Sequence, residues 1–92
     1  IDEEVIIYPI PAVGVITINI QSFAVGKLIF QLVTQEGKIL GTTSIDKNGF
    51  QLIEKTDLTR LSAGVYYIKL VLENTNGEKI KSGAFKIIKE RK

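Results

Sequence analysis

The chain has 92 residues and contains no cysteine, no histidine and no tryptophan. Without cysteine, neither a disulfide framework nor thiolate chemistry is available. Without histidine, the chain also lacks the commonest general base, the usual nucleophile–base pairs and the usual ligands of zinc and iron. The most common types of catalytic and metal site are therefore excluded.

Long apolar runs and a strong charge of one sign are missing as well. No stretch approaches the ~20 apolar residues of a transmembrane helix, so we expect no stable membrane insertion. A signal peptide has a basic region followed by an apolar segment, and the first residues show no such pattern. With 12 basic and 10 acidic residues, the net charge of +2 is too small to favour nucleic-acid binding.

What the chain does have is apolar content. Hydrophobic residues make up 45% of it, which excludes a disordered polypeptide. The length predicts one domain, residues 1–92, with a single core. The sequence begins with Ile1 rather than methionine, so we expect this domain to be part of a larger protein.

Residues 61–72 contain the strongest strand signal, an alternation of side chains between two faces that runs over eight residues from Val65 to Leu72. Both faces of this segment are largely apolar, which predicts a central strand with Tyr66, Ile68, Leu70 and Leu72 on one face.

The same segment contains the spacing L-x-x-G-x-Y, formed by Leu61, Gly64 and Tyr66. That spacing is typical of a tyrosine corner, in which the tyrosine hydroxyl bonds back to the backbone of the preceding crossing between sheets. Residues 57–64 are therefore predicted to cross between two sheets, with Leu58 and Leu61 inserted in the core.

Six further strands are predicted at residues 5–8, 13–20, 27–34, 38–45, 50–55 and 79–89. Gly37 favours a tight hairpin turn, and a bulge near Gly83 would reconcile the opposite phases of Ile80 and Phe85. Seven strands with turns about every 8–12 residues are typical of a sandwich. We predict an all-β, seven-stranded antiparallel Greek-key sandwich of immunoglobulin or fibronectin-like type, with an open barrel as the alternative.

The acidic residues offer no alternative chemistry. Asp46, Glu54, Asp57 and Glu73 fall on separate turns and strand ends, so no two carboxylates are expected to act together. The turn at Asp46 lacks the register of a calcium loop, and the glycines match no nucleotide-binding motif. We therefore predict no catalysis, no metal and no cofactor. Phe23 and Tyr67 are the plausible exposed aromatic residues for a sugar-binding surface, although ordinary packing is favoured for both.

Half of the basic residues lie near the end of the chain, at Lys79, Lys81, Lys86, Lys89, Arg91 and Lys92. One interpretation is an edge strand whose lysines discourage pairing with another sheet. The other is a basic terminal strand that a partner protein recognises.

Three motifs occur in a fixed order along the chain. The first is Tyr8, Pro9, Ile10, Pro11 and Ala12, followed by Gly14. The second is Gly37, Lys38 and Ile39 after an apolar strand, and the third is Asp57, Leu58, Leu61, Gly64 and Tyr66. Together they resemble the C-terminal sorting domain of the type IX secretion system of Bacteroidetes (Por secretion tail, type A). The motif residues carried by this resemblance are Tyr8, Pro9, Pro11, Gly37, Leu61, Gly64 and Tyr66.

The resemblance implies a non-catalytic signal domain at the C-terminus of a larger secreted protein. Such a domain directs an N-terminally attached cargo through the periplasm and across the outer membrane, to the cell surface or the medium. The implied partners are the outer-membrane translocon and a sortase-like peptidase. The candidate residues for recognition by this machinery are Lys86, Lys89, Arg91 and Lys92.

Two other functions remain open from the residues alone. The domain would also suit a fibronectin-like or carbohydrate-binding accessory module of a secreted multidomain protein. The third possibility is a structural spacer or adhesin repeat without a ligand.

Overall fold

The computed structural model describes residues 4–91, which form seven β-strands. They are β1 (Glu4–Tyr8), β2 (Val15–Gln21), β3 (Gly26–Thr34), β4 (Ile39–Lys47), β5 (Gln51–Asp57), β6 (Gly64–Glu73) and β7 (Lys79–Lys89). Each predicted strand is present within a few residues of its predicted ends. No helix in the described part of the chain is long and apolar enough to cross a membrane.

The strands lie in two separate sheets, so the sandwich is confirmed and the barrel alternative is wrong. One sheet has the order β1-β2-β5 and the other the order β4-β3-β6-β7. All strand pairs are antiparallel, and the chain passes from one sheet to the other after β2, after β4 and after β5. This winding is that of an immunoglobulin-like Greek-key sandwich. As predicted, β6 is an interior strand, between β3 and β7.

The core is built from the alternating faces that the sequence predicts. On β6, Tyr66, Ile68, Leu70 and Leu72 are all buried. Inward residues of β2, β3 and β7 and the crossing residue Leu58 complete a cluster that also contains Ala12, Ile16, Ile18, Ile20, Leu28, Phe30 and Ile87. Each large apolar side chain buried in this way contributes about 1.5–3 kcal/mol to the free energy of unfolding.

The crossing before β6 is fixed by two hydrogen bonds, and the tyrosine-corner spacing predicts the first of them. The Tyr66 hydroxyl donates to the carbonyl oxygen of Ser62 at 2.8 Å, and the Leu61 amide donates to the Leu58 carbonyl at 2.9 Å. Gly64 has a φ of 155°, a backbone conformation that residues other than glycine rarely adopt. Leu58 is fully buried and Leu61 packs against the core, as expected for a crossing that closes one end of the sandwich.

Of two predictions about local backbone geometry, one is confirmed and the other is wrong. The hairpin at Gly37 is confirmed, because this glycine has a φ of 98° and its amide donates to the Thr34 carbonyl at 2.9 Å. The bulge near Gly83 is wrong. β7 keeps one register with β6 from Lys81 onwards, and the shift lies between Leu72 and Glu73, which leaves Ile80 as the extra residue. The bulge lies beside the β6–β7 turn, so the side chains of β7 already have their final alternation where the strand reaches Gly83.

Candidate recognition surface

The sandwich has two ends, which the strand registers define. At the N-terminal end, Glu4, Gln21 and Gln51 lie side by side across β1, β2 and β5. At the C-terminal end, β7 finishes at Lys89, opposite Gly64. The longest dimension of the molecule is 39 Å. The place where the polypeptide comes into the domain is therefore far from the place where β7 ends.

β7 is an edge strand that is partly covered. Ala12, which follows the prolines, forms a parallel bridge with Lys89. The Ala12 amide donates to the Ile88 carbonyl at 2.8 Å, and the Glu90 amide donates to the Ala12 carbonyl at 2.7 Å. The segment after Pro11 thus leaves the first sheet and holds the last residues of β7 in place.

The same two hydrogen bonds show which backbone groups of β7 point away from β6. In a strand, the amide and carbonyl of one residue point to the same side, and those of the next residue point to the opposite side. The carbonyl of Ile88 points outward to Ala12. The groups of Ser82, Ala84 and Lys86 consequently point outward too. All three residues are exposed. Among the described residues, no backbone partner is paired with this part of the edge. It is suited to accept an additional strand.

The structure separates the basic residues that were predicted to act together. Lys86 is exposed on the outer face of the sheet, opposite Tyr67, and Arg91 is exposed beyond the end of β7. Lys89 faces inward, is only 5% exposed, and its ammonium donates to the Glu90 carbonyl at 3.1 Å. Lys92 lies outside the described residues. A partner that binds this folded surface can contact Lys86 and Arg91 directly, whereas Lys89 is not accessible to it.

The motif residues are spread over the C-terminal end of the sandwich. Tyr8 is 47% exposed at the end of β1, and Pro9 and Pro11, both with cis peptide bonds before them, follow it on the surface. Gly37 is in the β3–β4 hairpin, and Tyr66 is in the core. Apart from the tyrosine corner and the proline segment, the motifs contribute turns and packing and do not form a common pocket.

The carboxyl group of Asp57 stabilises the crossing near this end. It accepts hydrogen bonds from the Thr59 hydroxyl and from the Thr59 amide, the latter at 2.9 Å. These two bonds, with a smaller attraction from Arg60, hold the pKa of Asp57 below its ordinary value. The role of Asp57 is therefore local and structural, since its carboxylate is bound to its own turn.

One cleft in the described structure has a volume of about 340 Å³ and opens between β1 and β7. Its floor is apolar, and Glu4 is the one acidic residue among its described lining. Paired carboxylates are thus absent from the cleft. No group of histidine, cysteine or acidic residues that would suit a metal ion is found in residues 4–91. Of the two aromatic residues predicted to be exposed, Phe23 is exposed in the β2–β3 loop, whereas Tyr67 is half-buried on the outer face of β6, so the prediction is wrong for Tyr67.

Sequence reasoning missed Lys47, the last residue of β4. This side chain is only 1% exposed. Its ammonium donates to the carbonyls of Ser22 at 2.5 Å, Ala24 at 2.9 Å and Gly49 at 2.5 Å. Burial lowers the pKa of Lys47. All three donors of the ammonium are satisfied, and the β2–β3 loop is tied to the β4–β5 loop. A lysine in an Asp-Lys-Asn-Gly sequence gives no signal of this role, because such turns are normally solvated.

Comparison with known proteins adds one match. A family described as the secretion system C-terminal sorting domain matches residues 6–90. No curated protein and no solved structure matches the chain. The matched segment runs from β1 past the end of β7, and it includes the proline segment, the Gly37 hairpin and the tyrosine corner. The chain belongs to the family of C-terminal sorting domains of the type IX secretion system.

Proposed function

We propose that this domain is a non-catalytic signal that directs an attached cargo across the outer membrane by the type IX secretion system. The observation that carries the proposal is the family match over nearly the whole chain. The family is one of sorting signals, is not a known catalytic family, and implies a Bacteroidetes protein that is secreted or placed on the cell surface. The cargo is attached on the N-terminal side and travels through the periplasm.

The proposed partners are the outer-membrane translocon and a sortase-like peptidase that removes the domain after transport. Family membership implies contact with the secretion machinery and attachment to a cargo. The translocon and the peptidase are the specific partners that we propose.

The proposed contact with the machinery is made through β7. Ser82, Ala84 and Lys86 direct backbone groups outward, so a partner strand can extend the four-stranded sheet there. The exposed charges of Lys86 and Arg91 would favour an acidic partner and fix its orientation. Ala12 limits the length of the added strand, because it already occupies the edge at Ile88 and Glu90.

The proposal is tested with a reporter that carries a signal peptide at its N-terminus and this domain at its C-terminus. In a host with type IX machinery, we expect the reporter at the cell surface or in the medium. The substitution Ala84→Pro removes one outward amide without removing a hydrogen bond to β6, so it should reduce export. The control is Lys55→Pro, which should leave export unchanged. By the alternation that starts from the Ser22–Phe50 bond, it removes an outward amide from β5 on the other sheet.

The contribution of the charges is tested separately by Lys86→Glu combined with Arg91→Glu. The control, Lys27→Glu combined with Lys55→Glu, makes the same change in net charge at exposed positions away from β7. Normal export of the folded Lys86 and Arg91 double variant would mean that these residues only protect an edge strand. Normal export of a folded Ala84→Pro domain would eliminate strand addition at β7. Periplasmic retention of the unmodified fusion would overturn the sorting proposal itself.

A further inference from the structure

An exposed aromatic pair lies at the N-terminal end of the sandwich, outside the surface discussed above. Phe23 is 71% exposed and Phe50 is 41% exposed. Their ring centroids are 4.7 Å apart, with 54° between the ring planes. Val25, which is 51% exposed, lies two residues from Phe23. We call Phe23 and Phe50 the aromatic patch. Large apolar side chains clustered on a surface usually mark a contact with another surface.

The patch is held in place by the buried ammonium of Lys47. Its three acceptors are the carbonyls of Ser22 and Ala24, which flank Phe23, and of Gly49, which precedes Phe50. The Ser22 amide also donates to the Phe50 carbonyl at 2.8 Å. The backbone on both sides of Phe23 and at Phe50 is therefore fixed. Aromatic anchors presented on a fixed backbone lose little entropy when they bind.

The position of the patch indicates its partner. Phe23 follows β2 closely and Phe50 immediately precedes β5, so both lie beside the row formed by Glu4, Gln21 and Gln51. Neighbouring strands are about 4.8 Å apart, which places Glu4 roughly 10 Å from Gln51. The first described residue, Glu4, thus lies at the same end of the sandwich as the patch. The free part of the β7 edge, at Ser82, Ala84 and Lys86, belongs to the other sheet.

We propose that the aromatic patch docks into an apolar pocket of the domain that precedes it in the same polypeptide, and so holds cargo and sorting domain in a fixed arrangement. This inference rests on the proposed function, which places the cargo on the N-terminal side. The rings are tilted rather than coplanar, so they suit insertion into a pocket better than stacking on a flat sugar.

The test uses the purified full-length parent protein and the double variant Phe23→Ser/Phe50→Ser. The measured quantity is the rate at which a protease cleaves the segment just before Glu4. Without the aromatic anchors this segment should be cleaved at least about tenfold faster, as expected when an interface loses an anchor residue. Small-angle X-ray scattering should show a larger maximum dimension for the same variant.

The matched control is Val13→Ser/Ile53→Ser, which also removes two exposed apolar side chains, here 46% and 51% exposed. This control should keep the cleavage rate of the unmodified protein. If the double phenylalanine variant does not fold, Phe23→Ser alone serves, because Phe23 is the more exposed of the pair. Unfolding curves identify which variant is intact.

Equal cleavage rates in the folded aromatic variant and the control would overturn the docking proposal. A dimer of the unmodified protein that becomes a monomer in the aromatic variant, measured by sedimentation, would overturn it in favour of self-association. Lost export with an unchanged cleavage rate would assign the patch to the machinery instead. The cleavage assay needs no secretion, so failure of the sorting proposal is detected separately, as periplasmic retention of the unmodified fusion.

Discussion

The substitution Lys47→Met gives the sharpest test of how the two loops at the N-terminal end are held. Methionine keeps most of the volume of the lysine stem but removes the ammonium, so it creates little cavity. What is lost is the set of hydrogen bonds to the carbonyls of Ser22, Ala24 and Gly49. The expected effect is therefore a loss of polar contacts, largely free of repacking.

The size of this effect follows from two opposing contributions. A buried carbonyl that loses its partner costs about 1–3 kcal/mol. The bond to the Ser22 carbonyl is buried, whereas those to Ala24 and Gly49 are partly buried, so water can replace the ammonium at the latter two. Removing a buried ammonium also relieves its desolvation, which offsets part of the loss. We expect Lys47→Met to lower the free energy of unfolding by about 1–3 kcal/mol.

Urea denaturation of the unmodified protein and of Lys47→Met measures this difference directly. Because burial lowers the pKa of Lys47, the folded state releases its proton at a lower pH than the unfolded state. The stability conferred by Lys47 should therefore increase as the pH rises from the lowered pKa of the folded state to the ordinary value of 10.5. A Lys47→Met protein at least as stable as the unmodified protein at pH 7 would refute the view that the ammonium holds the loops.

Three further predictions concern the core and the crossing. Tyr66→Phe should lower the free energy of unfolding by about 1–2 kcal/mol, because the Ser62 carbonyl loses its donor; an unchanged melting temperature would contradict this. Leu70→Ala should cost more, roughly 2–5 kcal/mol, by opening a cavity in the core, and a neutral result by urea denaturation would argue against its burial. Asp57→Asn should reduce stability at pH 7. The pKa of Asp57 is held below its ordinary 3.8, so the stability that its carboxylate confers should be lost as the pH falls from 3.8 through the lowered pKa. A difference in stability between the two proteins that does not depend on pH would contradict the role of the charge.

Local patterns were sufficient to predict the strands and much of the core. The segment of β6 is rich in β-branched and aromatic residues with apolar side chains on both faces, which indicates a central strand, and Leu70 and its inward neighbours are buried as predicted. The tyrosine corner could be predicted because it depends on a short spacing, and its hydrogen bond spans only from Tyr66 to Ser62. The Gly37 hairpin is equally local, since a tight turn needs the positive φ that glycine adopts freely.

What sequence reasoning missed depends on contacts between distant segments. Lys47 is buried because the β2–β3 loop folds over it, and a single chain pattern cannot show which loops meet. Lys89 looks like another basic tail residue, yet the phase of β7 and the bridge to Ala12 place it inside. The position of the bulge was wrong for a related reason, because the register of β7 is fixed by pairing with β6 and not by the glycine at Gly83.

The central claim is that this domain is read as a type IX sorting signal, and one paired measurement tests it most directly. The reporter fusion is expressed in two otherwise identical hosts, one of which lacks the outer-membrane translocon, and the reporter is quantified in the periplasm, on the surface and in the medium. The account predicts surface or medium localisation in the intact host and periplasmic retention in the other. Retention in both hosts, or equal export from both, would contradict it.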